Sequence, residues 1–177
     1  MSDSQPPGKR LGKGMLAIVW LLILGGLTLF FSRKEAQWYN PNTQLEGTDN
    51  GQSRTVTLER NNYHHYVASG YINGKPVTFL LDTGATMVSV PANLGRELSL
   101  QPGASYAVQT ANGVVQVRST NIDALRLGPI ELQNVRAALN PGMNGDEILL
   151  GMSALKTLDF AQSGRFLTLT QHLNSKN

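Results

Sequence analysis

The stretch over residues 76–91, PVTFLLDTGATMVSVP, constrains the fold of this chain more than any other. Its first apolar run is short and rich in bulky side chains, which predicts a buried strand rather than a helix. Asp82 ends that run, and a second apolar run begins at Val88. The stretch therefore predicts a strand, a loop and a strand, with Gly84 supplying the backbone freedom that a tight loop needs.

Asp82 has two interpretations. Asp-x-Gly sequences commonly form turns in which the aspartate side chain bonds to the backbone two residues further on. A carboxylate between two apolar runs is also costly to bury unless something stabilises it, which makes it a candidate acid or base. The tripeptide alone is compatible with both interpretations.

The wider sequence resembles the active-site loop of retropepsin-like aspartic proteases. The resemblance is carried by the sequence LLDTGAT over residues 80–86, followed by VSV over residues 88–90. It implies that Asp82 is the catalytic carboxylate, that the Thr83 side chain ties together the two loops of a dimer, and that Gly84 lets backbone amides approach the carboxylate. Ala85 follows Gly84 and would contact substrate. Pepsin-like members carry at this position a hydroxyl group near the carboxylate, and its hydrogen bond is absent from this chain. We therefore expect activity at mildly rather than strongly acidic pH.

An uncharged run of 17 residues, 15–31, lies near the N-terminus with basic residues on both sides. It is long enough for a short transmembrane helix. A cleaved signal peptide is the alternative, but its apolar core is usually shorter, and residues 32–35 offer no small-residue cleavage site. A buried helix of a soluble protein is disfavoured because no polar face interrupts the run. The sequence therefore predicts an uncleaved membrane anchor.

Three basic residues precede this run, whereas two basic residues and Glu35 follow it, which favours a cytoplasmic N-terminus. The prediction is a single-pass protein of the inner (plasma) membrane whose C-terminal domain is periplasmic or otherwise extracytoplasmic. A flexible tether is expected because residues 37–54 are poor in aliphatic side chains and rich in Asn, Gln, Gly and Thr. The predicted layout is a cytoplasmic segment (1–14), a transmembrane helix (15–32), the tether (33–55), a protease domain (56–172) and a tail (173–177).

Beyond the tether, short apolar runs alternate with turn signals, which predicts an all-β domain. Asn73-Gly74 and Asn112-Gly113 each separate two such runs, and Asn-Gly is a strong hairpin signal. The resemblance implies half of a closed retropepsin-like (acid protease) β-barrel, in which the second hairpin is the flap over the bound peptide. Its substrate-binding residues would be Thr110, Ala111, Asn112 and Gly113. A hairpin without substrate contact is the alternative.

A second signature of the family follows near the C-terminus. An apolar strand over residues 147–150 leads into Gly151 and then into a short amphipathic helix over residues 152–158. In the family this helix packs behind the active-site loop. The apolar residues Met152, Leu155 and Leu158 are equally compatible with the core-facing side of any helix.

Composition excludes several other chemistries. The chain has no cysteine, which rules out disulfides and a cysteine nucleophile, and its three histidines lack metal-ligand spacing. No G-x-S-x-G sequence is present for a serine nucleophile. From residue 36 onward ten basic residues balance ten acidic ones, so the pattern does not favour nucleic acid as a partner. We predict neither a metal nor a cofactor.

The chain carries a single Asp-Thr-Gly sequence. Hydrolysis by an aspartic protease uses two aspartates that share one proton, so the second must come from another copy of the chain. The resemblance therefore implies a homodimer that cleaves a peptide or protein substrate. The alternative is a non-catalytic module of the same fold that dimerises or binds peptides.

Overall fold

The structure is a computed structural model that describes residues 8–110 and 113–173 of the chain. The chain forms two compact units, Met1–Trp38 and Tyr39–Asn177. The described part of the first unit is helical, and the described strands belong to the second unit. Of the predicted tail, residues 174–177 lie outside the described residues.

Helix α1 covers Gly8–Tyr39 and is longer than the predicted span of residues 15–32. It continues past the apolar run because residues 33–39 contain neither glycine nor proline. It ends before Pro41, which disfavours the helical conformation in the residue that precedes it. By length and composition alone, its segment Gly14–Tyr39 could cross a membrane, a property that it shares with signal sequences.

Within the described residues, the second unit contains eleven strands, one short α-helix and a single 3₁₀ turn at Ala92–Leu94, which confirms the predicted all-β class. A four-stranded sheet has the order β1-β2-β11-β10, and a seven-stranded sheet has the order β3-β4-β9-β5-β8-β7-β6. The elements are β1 (Gly47–Asp49), β2 (Ser53–Glu59), β3 (Val67–Ile72), β4 (Lys75–Leu81), β5 (Val88–Pro91), β6 (Ser105–Thr110), β7 (Gly113–Leu127), β8 (Ile130–Asn140), β9 (Glu147–Leu150), α2 (Met152–Leu155), β10 (Asp159–Ser163) and β11 (Phe166–His172).

The seven-stranded sheet closes into a barrel because β3 pairs with β7 as well as with β4. Alternate side chains of these strands point inward, as the two-residue period of a strand requires. The four-stranded sheet adds its own inner face to the same buried cluster. Its contributions are Val56, Leu58, Leu167 and Leu169.

Both predicted hairpins are present. Asn73 and Gly74 join β3 to β4 with φ angles of 48° and 77°, as a two-residue turn with two positive φ angles requires. The second hairpin joins β6 to β7, and its last described pair is Thr110 with Gly113. Of its predicted tip, Ala111, Asn112 and Gly113, the first two residues lie outside the described residues.

The prediction of a tether over residues 33–55 is wrong for residues 40–55, because this segment belongs to the folded unit. The side chains of Asn40 and Asn42 are only 8% and 5% exposed. Strand β1 then pairs with β2, so β2 lies between β1 and β11 and is not an edge strand. Polar composition indicated solvent exposure, but the asparagine side chains are buried because they form hydrogen bonds with the backbone.

Candidate active site

Asp82 lies at the point where β4 leaves the barrel. Strand β4 runs parallel to β9, with Leu81 paired with Leu150. The backbone N–H of Asp82 continues this ladder by donating to the Leu150 carbonyl oxygen at 3.2 Å. The residue as a whole is half-buried. Strand pairing therefore fixes the position of Asp82 at the edge of the barrel.

The loop after Asp82 folds back on the carboxylate. The Gly84 N–H donates to Asp82 Oδ1 at 2.8 Å, and the Ala85 N–H donates to the Asp82 carbonyl oxygen at 3.2 Å. Gly84 is not among the glycines with positive φ, so it is not needed here for a left-handed conformation. A Cβ atom at this position would lie 3.1 Å from Asp82 Oδ1. The glycine therefore serves the close approach of the amide to the carboxylate.

The turn between β9 and α2 braces this loop from behind. The Met152 N–H donates to the Ala85 carbonyl oxygen at 2.8 Å. Gly151 packs so closely that an added Cβ atom would lie 2.6 Å from the Ala85 carbonyl oxygen and still nearer to that of Met87. The second predicted signature therefore lies directly behind the Asp82 loop. Helix α2 is shorter than predicted, ending at Leu155, although Leu158 is buried as expected.

Ser153 is a further supporting residue, and neither of the two signatures found in the sequence assigns it a role. Its Oγ accepts a hydrogen bond from the Val88 N–H at 2.9 Å and donates to the Arg136 carbonyl oxygen at 2.7 Å. One side chain thus joins α2 to β5 and β8. The only sequence signal was a hydroxyl residue in the first turn of the predicted helix.

The front of the loop is open in the single chain. Thr83, Gly84 and Thr86 are exposed, and Ala85 is half-buried. Among the described residues Asp82 has no ion-pair partner, whereas Asp49 pairs with Arg54 at 2.9 Å. Within the described residues, the Asp82 carboxylate is therefore held by one backbone amide, that of Gly84, and is not neutralised by a cation.

The β6–β7 hairpin has one half-buried and one exposed side. Tyr106, Val108 and Thr110 are half-buried, and the residues between them are exposed. The Tyr106 hydroxyl contacts Met87 Sδ at 3.8 Å, which links the hairpin to the Asp82 loop. At the far end, Thr110 Oγ1 donates to the Gly113 carbonyl oxygen at 2.8 Å, and Gly113 has a φ of 109°.

The structure thus brings the base of the predicted flap to the Asp82 loop. Of the four predicted flap residues, it describes Thr110 and Gly113. Contact between any of them and a substrate stays a prediction.

A cavity of about 680 Å³ lies elsewhere in the folded unit and does not include Asp82. Its lining includes Thr78, Tyr71 and Arg126, with the Arg126 guanidinium 4.3 Å from the Tyr71 ring centre. Thr78 is four residues before Asp82, which is about 13 Å along a strand. In the described part of the chain, no three His, Asp or Glu residues are grouped as a metal site requires.

The family described as "gag-polyprotein putative aspartyl protease" matches residues 68–157, just over half of the chain. The chain belongs to this family, which confirms the resemblance inferred from residues 80–90.

One relative is the "Uncharacterized protein in cobV 5′region" of Sinorhizobium sp. It is 28% identical over 167 residues, covering 86% of this chain and 71% of that protein. The crystal structure of a retropepsin-like aspartic protease from Rickettsia conorii matches with a TM-score of 0.57 and 19% identity, covering 72% of this chain and 94% of that chain. This likeness shows that the fold is retropepsin-like. The EIAV protease complexed with an inhibitor matches with a TM-score of 0.44 and 21% identity, covering 54% of this chain and 89% of that chain.

Proposed function

We propose that this chain is a membrane-anchored aspartic endopeptidase that hydrolyses peptide bonds with a water molecule activated by two Asp82 side chains, one from each of two copies. Family membership supports a protease in general. The observation that carries the proposal is the Asp82 loop, which is braced from behind by Met152 and open in front. The Gly84 amide on Oδ1 holds the carboxylate in place for such a reaction.

The requirement for a second copy follows from the other aspartates. In the described part of the chain, Asp49 is paired with Arg54 and Asp159 with His172. Asp123 and Asp146 are exposed, and neither is followed by Thr-Gly. A second carboxylate in an equivalent loop is therefore supplied by a second copy, which makes the working unit a symmetric homodimer.

In the proposed reaction the two carboxylates share one proton, because like charges about 3 Å apart cannot both ionise. The ionised carboxylate takes a proton from water as the water oxygen attacks the scissile carbonyl carbon, and the protonated carboxyl group donates its proton to the carbonyl oxygen. The carboxyl group that took the proton from water then donates it to the nitrogen of the diol, while the other carboxylate takes a proton from a diol hydroxyl group. The C–N bond breaks, a carboxylic acid and an amine are released, and the dyad again shares one proton. Thr83 joins the two loops, and Ala85 and residues 110–113 contact the peptide.

Substitution Asp82→Asn tests the chemistry. The asparagine amide oxygen can still accept the Gly84 N–H, so the variant should fold, but it cannot take a proton from water. Loss of an acid or base of this kind lowers rates by about 10²–10⁴-fold. Cleavage of a diverse peptide mixture by the full-length chain should fall accordingly, whereas Asp123→Asn, at an exposed carboxylate on β7, should cleave at the wild-type rate.

Equal cleavage by both variants would contradict the assignment of Asp82. A wild-type chain that binds peptides without cleaving any would instead support the non-catalytic module.

An experiment that mixes wild-type and Asp82→Asn chains tests whether two copies share one active site. Excess Asp82→Asn chain should capture wild-type chains in mixed dimers with one carboxylate and suppress their activity. Subunit exchange is checked with differently tagged chains. An unchanged wild-type rate despite demonstrated exchange would show that each chain cleaves alone.

The proposed location is the inner membrane, with residues 15–32 spanning it and the folded unit outside the cytoplasm. The uncharged run and its basic N-terminal flank support this orientation. Protease added to unlysed spheroplasts of a Gram-negative host should digest the folded unit. Digestion only after lysis would reverse the orientation, and recovery of a shortened chain in the soluble fraction would indicate a cleaved signal sequence.

A further inference from the structure

The chain contains four Asn-Gly sequences, at Asn50, Asn73, Asn112 and Asn144. An asparagine followed by glycine is prone to lose its side-chain nitrogen as ammonia, because the glycine has no side chain to keep its backbone nitrogen from the asparagine Cγ atom. The reaction requires an asparagine side chain that is free to turn and a glycine N–H that is not bound elsewhere. The folded structure therefore decides which of these sites reacts.

Asn73 is held by its side chain and by its backbone. Its Oδ1 accepts the Ala124 N–H at 3.1 Å, and its Nδ2 donates to the Leu98 carbonyl oxygen at 2.9 Å. Its backbone N–H donates to the Ala124 carbonyl oxygen at 2.8 Å. Both side-chain hydrogen bonds must break before the Cγ atom can approach the Gly74 nitrogen, so the fold protects this site.

Asn50 is exposed, but it is held as well. Its Oδ1 accepts the N–H groups of Gln52 and Ser53 at 3.0 and 2.7 Å. The Gly51 N–H, whose nitrogen would have to attack, donates to Asp49 Oδ1 at 3.0 Å. The side chain and the attacking nitrogen are thus both occupied, so exposure alone does not identify a reactive site.

Asn144 differs from both. It is exposed in the turn over residues 141–146, which joins β8 to β9. Among the described residues, neither its side chain nor the Gly145 N–H takes part in a hydrogen bond. A Cβ atom added at Gly145 would meet nothing within 4 Å, so there is room for a ring at this point. Asn112 lies outside the described residues, and of the other three sites Asn144 is the one that the fold leaves unprotected.

The turn around Asn144 borders β5, the strand that follows the Asp82 loop. The Ser89 hydroxyl of β5 donates to Met143 Sδ at 3.2 Å. Asp146 is exposed, and Glu147 accepts the Tyr39 hydroxyl at 2.6 Å. A carboxylate at residue 144 would therefore stand beside two others, in a turn that contacts a strand of the candidate active site.

We propose that Asn144 is a site of spontaneous deamidation, at which a neutral amide becomes a carboxylate in the folded protein. The Gly145 nitrogen attacks Asn144 Cγ, the Cγ–Nδ2 bond breaks, and ammonia leaves with the proton of the Gly145 amide. Water then opens the cyclic imide. Cleavage of its bond from nitrogen to Cγ gives aspartate, and cleavage of its bond from nitrogen to the backbone carbonyl carbon gives isoaspartate, in which the main chain runs through the side chain. The reaction requires no protease activity.

Peptide mapping of the full-length chain tests this assignment. The purified chain is incubated at mildly basic pH, where the attacking nitrogen loses its proton more readily, both folded in detergent and unfolded in urea. Trypsin then places the four Asn-Gly sequences on separate peptides, since Arg54, Arg96 and Arg118 lie between them. Mass spectrometry measures the conversion of each peptide, and a protein isoaspartate methyltransferase labels the isoaspartate form. Circular dichroism checks that the folded sample stays folded.

We expect the Asn144 peptide of the folded chain to convert at least about tenfold faster than those of Asn50 and Asn73, because two hydrogen bonds must break at each protected site. In urea the three rates should come close together. Asn144→Gln should remove the isoaspartate label from this peptide, since glutamine would need a larger ring. Conversion of Asn144 no faster than that of Asn50 or Asn73 in the folded chain would overturn the inference. An unchanged ratio of the rates in urea would overturn it too, because flanking residues and not the fold would then set them.

Discussion

The Asp82 loop and the segment over residues 39–42 are both irregular stretches held against the barrel, but different groups hold them. The Asp82 loop is fixed by backbone hydrogen bonds, and two glycines, Gly84 and Gly151, let those backbones come close together. The segment over residues 39–42 is fixed by asparagine side chains: that of Asn42 bonds to the backbone of β2 and β3, and that of Asn40 donates to the Ser69 hydroxyl. The first arrangement leaves its signature in the sequence as Asp-Thr-Gly and strand-Gly-helix, whereas the second does not.

Asn42 provides most of the attachment in the second segment. Its Nδ2 donates to the carbonyl oxygens of Glu59 and Val67 at 2.8 and 2.7 Å, and its Oδ1 accepts the Glu59 N–H at 2.7 Å. Its carbonyl oxygen accepts the Ser69 N–H at 3.1 Å. One residue thus fills the gap between the end of β2 and the start of β3 as a short piece of strand would. A polar side chain is acceptable in this buried place because every bond it needs is made.

The largest effect on stability is expected for Asn42→Ala. The substitution leaves two carbonyl oxygens and one N–H buried without these partners, and each such group costs about 1–3 kcal/mol. Partial access of water lowers the sum, so we expect a loss of about 3 kcal/mol in the free energy of unfolding. Denaturant unfolding of the variant measures it, with Asn121→Ala, at an exposed position of β7, as the control.

The folded fraction of the Asn42→Ala chain should keep its specific activity, because Asn42 touches none of the Asp82 loop. Equal stability of the two asparagine variants would mean that residues 40–55 are a tether after all.

Gly151→Ala tests the packing behind the Asp82 loop, as Asn42→Ala tests the attachment of residues 39–42. An added methyl group would meet the carbonyl oxygens of Ala85 and Met87, both backbone atoms that cannot move without displacing the Asp82 loop. Overpacking of this kind costs about 1–3 kcal/mol. Displacement of a catalytic group by about 1 Å can lower the rate by about 10²-fold. Unlike Asn42→Ala, this variant should therefore lose activity in its folded fraction.

Gly25→Ala is the control for Gly151→Ala, since a methyl group there meets nothing within 4 Å. If the folded Gly151→Ala chain cleaved at the wild-type rate, the turn after β9 would not be positioning the loop.

These two regions also show what the sequence could predict. The hairpin at Asn73-Gly74 and the strand that ends at Asp82 were predictable because local rules decide them: turn residues need positive φ, and apolar runs pair with other strands. The strand–glycine–helix order at Gly151 was predictable from the family resemblance. That Gly151 has no room for a side chain was not, because its neighbours are 64 and 66 residues earlier in the chain, at Met87 and Ala85.

The asparagine contacts were unpredictable for a similar reason. Asn, Gln, Gly and Thr are common in flexible segments, and composition does not distinguish an asparagine that bonds to water from one that bonds to a distant strand. The partners of Asn42 are 17 and 25 residues away in sequence. Strand β10 was missed because all its residues are exposed, so it lacks the alternation of apolar and polar residues that identifies strands.

The smallest expected effect concerns pH and strand β1, which follows the segment over residues 39–42. Asp49 Oδ1 accepts the Gly51 N–H at 3.0 Å, and Oδ2 pairs with Arg54 Nε at 2.9 Å. The Gly51 amide first, and the Arg54 guanidinium second, hold the pKa of the Asp49 carboxyl below its ordinary value of 3.8. Below that value the unfolded chain binds a proton that the folded chain does not, so the free energy of unfolding falls as the pH falls through the folded pKa.

Asp49→Asn should remove the contribution of this carboxyl group to the pH dependence. The free energy of unfolding should then fall slightly less steeply as the pH falls below 3.8, and its dependence on pH above 3.8 should change little. The effect should be small because the carboxyl group is at the surface and salt screens its pairing with Arg54. Denaturant unfolding from neutral to acidic pH at low salt measures it, with Asp123→Asn as the control. If β1 were detached from β2 in solution and the turn between them opened, Asp49 would lose both the Gly51 amide and Arg54 as partners, and the two variants would show the same pH dependence.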